Sequence, residues 1–170
     1  MFSGVDGSTR INIIENGIER VVNARSLFQK LNGKKKASNK SADKEEGIEV
    51  KTDKIKILTL NGDILEYHAM YRASCLHEGV FKLRGDRISV SASLYTIVYK
   101  EGVGFTGLDN IYAKDKIQYI NQKNEIVYDW VTGLSALKYD DNAYFVYNFY
   151  TFTCNFIANR VVIGQVGNAE

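Results

Sequence analysis

Proline is absent from all 170 residues. Turns must therefore be made by Gly, Asn and Asp, and Asn16-Gly17, Asn32-Gly33, Asn61-Gly62-Asp63 and Gly85-Asp86 stand ready for that work. Cysteine is scarce too, with Cys75 and Cys154 alone. That excludes a disulfide framework and points to an intracellular, cytoplasmic setting. Neither sign of charge dominates: 22 Lys and Arg against 20 Asp and Glu leave +2. A dedicated nucleic-acid binder would usually be clearly basic, so no nucleic-acid partner is expected. No apolar run approaches the roughly 20 residues that span a bilayer, so no membrane role is expected. The opening MFSGVDGSTR lacks the architecture of a signal peptide. A phosphate-cradling glycine loop, an HExxH motif and a CxxC pair are all missing, and neither a metal nor a cofactor is expected.

What is present is β-forming. Tyr occurs 11 times and Phe 8 times, and 45% of the chain is hydrophobic. Such residues favour pleated, half-buried surfaces. The length suits one domain over residues 1–170. Arg10–Ile14 and Ile18–Val22 read as a hairpin about Asn16-Gly17. Asn23 caps a short helix over residues 24–31, with Leu27, Phe28 and Leu31 on one face, and Gly33 ends it. Lys56–Leu60 and Ile64–Tyr71 form a second hairpin about Asn61-Gly62-Asp63. Further strands are read at 79–83, 87–90, 95–99, 116–120, 125–131, 143–149, 155–157 and 161–163. The fold class is all-β with one small helix.

Residues 33–46, GKKKASNKSADKEE, cannot bury enough apolar surface to offset the entropy of ordering. A flexible, Lys-rich insertion over about 33–52 is expected. Lys34-Lys35-Lys36 reads either as a localisation or nucleic-acid patch or, preferably, as part of a solvated loop. Cys75 and His77 read as a thiolate–imidazole pair, as two metal ligands or, preferably, as a small buried thiol beside a surface turn. His68 lies mid-strand. Trp130 is expected to pack in the core rather than serve as a stacking platform.

The two ends carry the most specific pattern. Residues 147–165 read YNFYTFTCNFIANRVVIGQ. They resemble the end of inteins and related Hint domains: a Tyr-Asp-Phe-like strand, a His-Asn-Phe-x-Ala-Asn-Gly turn, a β-branched strand, then His-Asn. Gly4-Val5-Asp6-Gly7-Ser8-Thr9-Arg10-Ile11 resembles the family's opening Cys-x-x-Gly-x-Thr-x-Ile. Ile88–Val98 resembles its Val-Thr-x-x-His block, and Gly107–Asp115 a later segment. The resemblance covers most of the chain outside 33–52. It implies a pseudo-symmetric horseshoe of short strands with both termini meeting at its centre.

The resemblance also implies a chemistry. A first-residue Cys or Ser attacks its own preceding carbonyl, a His in the Thr-x-x-His block helps the amide leave, and a terminal Asn cyclises. Here the nucleophile position is Gly4, or Met1 if three further residues are counted in. The Thr and His of the block fall on Ser91 and Leu94. Cys154 takes the place of the His before Asn-Phe, Gly164 that of the penultimate His, and Gln165 that of the terminal Asn. Val166 follows where a downstream nucleophile would stand. An internal Cys can replace the first one in some inteins, but the matching position is Asn148. Cys154 is instead expected to pack near the centre of the fold. The implied reading is a monomeric intein-like domain whose partners are its own flanking (extein) segments, with Met1–Ser3 and Val166–Glu170 as remnants of them. As written it is inactive or nearly so. The alternative is a non-catalytic β-rich binding or scaffold domain. A Hint domain must bring Gly4, Leu94, Cys154 and Gln165 together; an unrelated barrel need not.

Overall fold

The computed structural model describes residues 3–32, 48–51, 55–58, 64–74, 79–137, 145–151 and 153–164. Met1, the Lys-rich run, the Asn61-Gly62-Asp63 turn, Cys75, His77, Gln165 and Val166 lie outside the described residues.

Local sequence rules set the first elements. Strand β1 is Val5–Asp6; β2 (Arg10–Glu15) and β3 (Ile18–Asn23) form an antiparallel hairpin. Its two-residue loop, Asn16-Gly17, has positive φ at both positions, 53° and 76°. That turn matches the right-handed twist of the strands it joins. Ile11 and Ile13 alternate inward and are buried. Helix α1 (Ala24–Asn32) starts where the Asn23 Oδ1 accepts the Ser26 N–H at 2.7 Å, and it buries Leu27 and Phe28.

The rest is strand: β4 (Ile48–Lys51), β5 (Ile55–Leu58), β6 (Ile64–Ser74), β7 (Val80–Gly85), β8 (Ser89–Ser93), β9 (Ile97–Lys100), β10 (Gly104–Gly107), β11 (Lys116–Ile120), β12 (Ile126–Ala136), β13 (Phe145–Thr151), β14 (Asn155–Ala158) and β15 (Val161–Gly164). The hydrogen-bonded path runs β10-β9-β11-β12-β7-β8-β1-β13-β6-β5-β2-β14-β15. It returns on itself, because β15 also pairs with β9 and β11. Three strands escape the sequence reading: β1, β10 and β4. The last lies within the segment read as an insertion and pairs with β6 through Ile48↔Arg72 and Lys51↔Ala69.

The two longest strands, β6 and β12, have 11 residues each and play matching roles. The start of β6 pairs with β5 and the remainder with β13; the start of β12 pairs with β11 and the remainder with β7. Each pairing carries an irregularity, between Tyr150 and Thr151 opposite β6 and between Val131 and Gly133 on β12. Such bulges bend a strand and let it serve two sheets. His68 lies at the first of them, between the paired residues Tyr67 and Ala69. This repeated hairpin-and-bend is the pseudo-symmetric horseshoe.

The core runs through the middle of this closed path. Phe28, Phe149, Phe156, Ile11, Ile57, Leu83 and Ile117 are among its fully buried side chains. Phe28 meets Tyr147 edge-on, with ring centroids 5.6 Å apart. Trp130 departs from expectation: it is 49% exposed, with the Lys116 ammonium 4.4 Å from its ring centre. The register of β12 turns Asp129 and Val131 inward, leaving Tyr128 and Trp130 outside. Asp129 is held in because its carboxylate accepts the Arg87 N–H at 2.6 Å and the Ile88 N–H at 3.0 Å.

Candidate functional site

Strand β1 is two residues long, yet it is clamped on both sides. Val5 pairs with Ala92 of β8 and with Tyr147 of β13. The residue before it, Gly4, is consequently fixed by its backbone. Its N–H donates to the Thr96 Oγ1 at 2.9 Å, and its carbonyl accepts from that hydroxyl at 2.9 Å and from the Ser93 N–H at 3.0 Å. Since the single Thr96 hydrogen goes to the Gly4 carbonyl, the Ser93 Oγ, 3.0 Å away, is the donor in the Ser93–Thr96 pair.

The far end of the described chain arrives beside the same segment. Gly164, the last residue of β15, pairs with Ile97, the neighbour of Thr96, and with Asn155, the neighbour of Cys154. Residues 93–97 thus hold Gly4 by one side and Gly164 by the other. Asn148 of β13 completes the N-terminal side: its Nδ2 donates to the Ser3 Oγ at 3.0 Å and reaches the Ser3 carbonyl at 3.5 Å.

Of the residues that the sequence pattern singles out, Gly4 and Gly164 therefore meet at residues 93–97. Leu94 sits in that segment and packs, half-buried, on the core. Ser91 lies on β8, paired with Lys82 and half-buried. Cys154 is exposed rather than packed centrally. Its backbone takes φ 60° in the turn between β13 and β14, which Thr151 closes by bonding the Asn155 N–H and carbonyl through its Oγ1. Ser93 and Thr96 are the residues that sequence reasoning left without a role, and Asn148, named there only as the position matching an internal Cys, bonds Ser3 instead. The signal for the first two lies in the hydroxyls of Ser91-Ala92-Ser93-Leu94-Tyr95-Thr96.

Position 4 is closed by main chain, whereas position 164 is crowded by side chains alone. A Cβ on Gly4 would lie 2.7 Å from the Tyr147 carbonyl oxygen and 2.9 Å from its nitrogen, and Gly4 has φ 153°. A Cβ on Gly164 would lie 2.7 Å from Phe105 Cδ1 and 2.8 Å from Ile97 Cδ1. Tyr147, whose backbone flanks Gly4, carries a buried phenol. Burial pushes its hydroxyl above the ordinary tyrosine value, with the Arg72 and Arg25 guanidinium groups pulling the other way. A phenol so placed stays protonated at neutral pH. Among the described residues no group of three His, Cys, Asp or Glu side chains gathers to hold a metal. The arrangement holds residues 3–5 by their backbone, with hydrogen bonds at the Ser3 and Gly4 carbonyls.

No protein-family model and no curated protein matches the chain by sequence. Solved structures match it throughout. The transcription factor IIB Mvu mini-intein aligns over 95% of this chain and 99% of its own, with TM-score 0.78 and 14% identity. An intein from a hyperthermophile aligns over 96% and 100%, with TM-score 0.73 and 16% identity. A DnaB intein from Synechocystis sp. PCC 6803 aligns over 96% and 99%, with TM-score 0.58 and 13% identity. The chain has the all-β Hint fold of the inteins.

Proposed function

We propose that this chain is an intein-like self-processing domain by descent that neither splices nor cleaves at a useful rate. The observation that supports this is the state of position 4. It lies where the two ends converge, it carries no side chain, and its backbone leaves no room for one. Nucleophilic self-cleavage needs an attacking group next to the scissile carbonyl and an acid to release the amine. Among the described residues, those that contact Ser3 and Gly4 are Asn148, Ser93, Thr96 and Tyr147. None of them is a good base at neutral pH. The same fold then serves as a clasp that keeps its flanking segments side by side. On this reading the partners are those segments of its own polypeptide, the domain works as a monomer in the cytoplasm, and no cofactor takes part.

The test is a fusion of residues 1–170 between two small, distinct proteins, followed by intact mass over hours with and without thiol. A single full-length mass is expected throughout. A ligated product, or fragments ending at Ser3 or starting after Gln165, would overturn the reading and direct attention to Cys154 and Gln165. A non-catalytic binding role is favoured by a separate observation, a basic groove on another part of the surface.

A further inference from the structure

Two adjoining cavities, of about 580 Å³ and 420 Å³, share Arg87, Gln122 and Arg160 in their walls and form one groove. Arg10, Asn12 and Asn159 line its larger part. Four cationic side chains border the groove against one carboxylate, in a chain whose whole net charge is only +2. None of the three arginines has an ion pair among the described residues. Clustered unpaired cations repel one another, so their convergence calls for an anion.

The groove is built rather than accidental. The Asn159 Oδ1 accepts the Arg10 N–H at 2.7 Å, its Nδ2 donates to the Ser89 carbonyl at 2.9 Å, and its own N–H donates to the Arg10 carbonyl. One amide side chain thereby ties together the segments bearing Arg10, Arg87 and Arg160. Arg160 donates to the Asn121 carbonyl, which fixes the fourth wall. Arg160 also occupies a costly position. The β14–β15 loop is the two residues Asn159-Arg160, with φ 49° and 70°. The β2–β3 loop has the same form and uses Asn16-Gly17, as such turns prefer. An arginine in place of glycine strains the turn and gains nothing for the hairpin. What it adds is a guanidinium group in the groove.

We infer that this groove binds a ligand through two or more phosphate groups. Guanidinium forks match phosphate oxygens in pairs, and the amides of Asn12 and Gln122 supply uncharged polar contacts between them. The volumes lie in the range of small-molecule sites. The inference is independent of whether the chain cleaves itself.

The full chain is titrated by calorimetry with sodium tripolyphosphate, ATP, sulfate and a short polyglutamate peptide. Tripolyphosphate is expected to bind at least tenfold more tightly than sulfate or the peptide, and several-fold more weakly when salt rises from about 50 to 200 mM. Arg87→Gln and Arg160→Gly are each expected to weaken it at least tenfold, while Lys116→Gln, outside the groove, leaves it unchanged. Unliganded Arg160→Gly is expected to melt at or above the parent temperature, which separates lost binding from lost folding. ATP binding equal to tripolyphosphate assigns the site to a phosphate chain alone; ATP binding tenfold tighter assigns it to a nucleotide. No binding at millimolar tripolyphosphate, binding unmoved by both arginine variants, or equal binding of polyglutamate would overturn the inference.

Discussion

The Gly4→Ala substitution tests the central geometric claim directly. One methyl group would be placed 2.7 Å from the Tyr147 carbonyl oxygen, 2.9 Å from its nitrogen and 3.0 Å from its carbonyl carbon. These are backbone atoms of β13, paired on one side with β6 and on the other with β1, so they cannot swing aside as a flexible side chain would. Forcing atoms into a packed site costs about 1–3 kcal/mol. Holding a non-glycine residue in a sparsely populated φ region costs about 1–3 kcal/mol more. Against this, Ala restricts the unfolded chain and returns about 0.4–1 kcal/mol. The net expectation is a destabilisation of about 2–4 kcal/mol, hence a melting temperature lower by about 5–15 °C for a chain of this size. Gly17→Ala is the matched control: its φ is 76° but no atom lies within 4 Å of the added Cβ. It should cost about 1 kcal/mol, the conformational part alone. Thermal and urea melts of the three proteins decide the matter. If Gly4→Ala melts within about 2 °C of Gly17→Ala, the closed position does not exist, and the argument against a side chain there fails with it.

Other expectations follow from the same site and its surroundings. Thr96→Val keeps the shape but removes the hydroxyl that serves the Gly4 N–H; leaving that buried donor unpaired should cost about 1–3 kcal/mol and speed hydrogen exchange at Gly4 more than at Ile13. Asp115 has its carboxyl held below the ordinary carboxylate range by the Tyr112 N–H and then by Lys100, and Glu15 likewise by its hydrogen bond to Lys30. A depressed carboxyl stabilises the fold above the unfolded-state value, and that stability is lost as pH falls through the folded value. Urea midpoints should therefore decline below about pH 4, and Asp115→Asn should flatten the decline; an unchanged slope would count against the pair. Trp130, the sole tryptophan, should be quenched by acrylamide in the folded protein nearly as well as in urea; strong protection would contradict its exposed place on β12.

Much of the fold was legible because its signals are local. Asn16-Gly17 between alternating strands, and Asn23 before Leu27 and Phe28, dictate a hairpin and a capped helix without help from the rest of the chain. The strands that sequence reasoning missed are short and defined by distant partners. Val5 is a strand residue because Ala92 and Tyr147 flank it, and nothing in Gly4-Val5-Asp6-Gly7 announces this. Gly104-Phe105-Thr106-Gly107 has no alternating pattern and is a strand because it pairs with β9. Trp130 was misplaced for a subtler reason. Alternation along β12 fixes two faces but not which one is inner, and a buried Asp129 that bonds two backbone N–H groups decided it against the aromatic face.

The sequence pattern names Gly4 and Gly164, which the fold brings to residues 93–97, but it says nothing of how they are packed. The sequence alone puts glycine at positions 4 and 164 and says nothing of the room around either. Three-dimensional contacts describe that room. The volume a side chain at position 4 would need is occupied by the backbone of β13, and that at position 164 by Phe105 and Ile97. Phe105, 42% exposed, rests edge-on against Tyr99, 5.3 Å between ring centres. Restoring Cys, His, His and Asn at positions 4, 94, 164 and 165 should therefore yield a destabilised protein and no cleavage. Adding Phe105→Ala relieves one of the two contacts at position 164 and leaves position 4 closed by main chain. Main chain paired on both sides yields less readily than a side chain, so room for a side chain at position 4 requires changes on several strands at once.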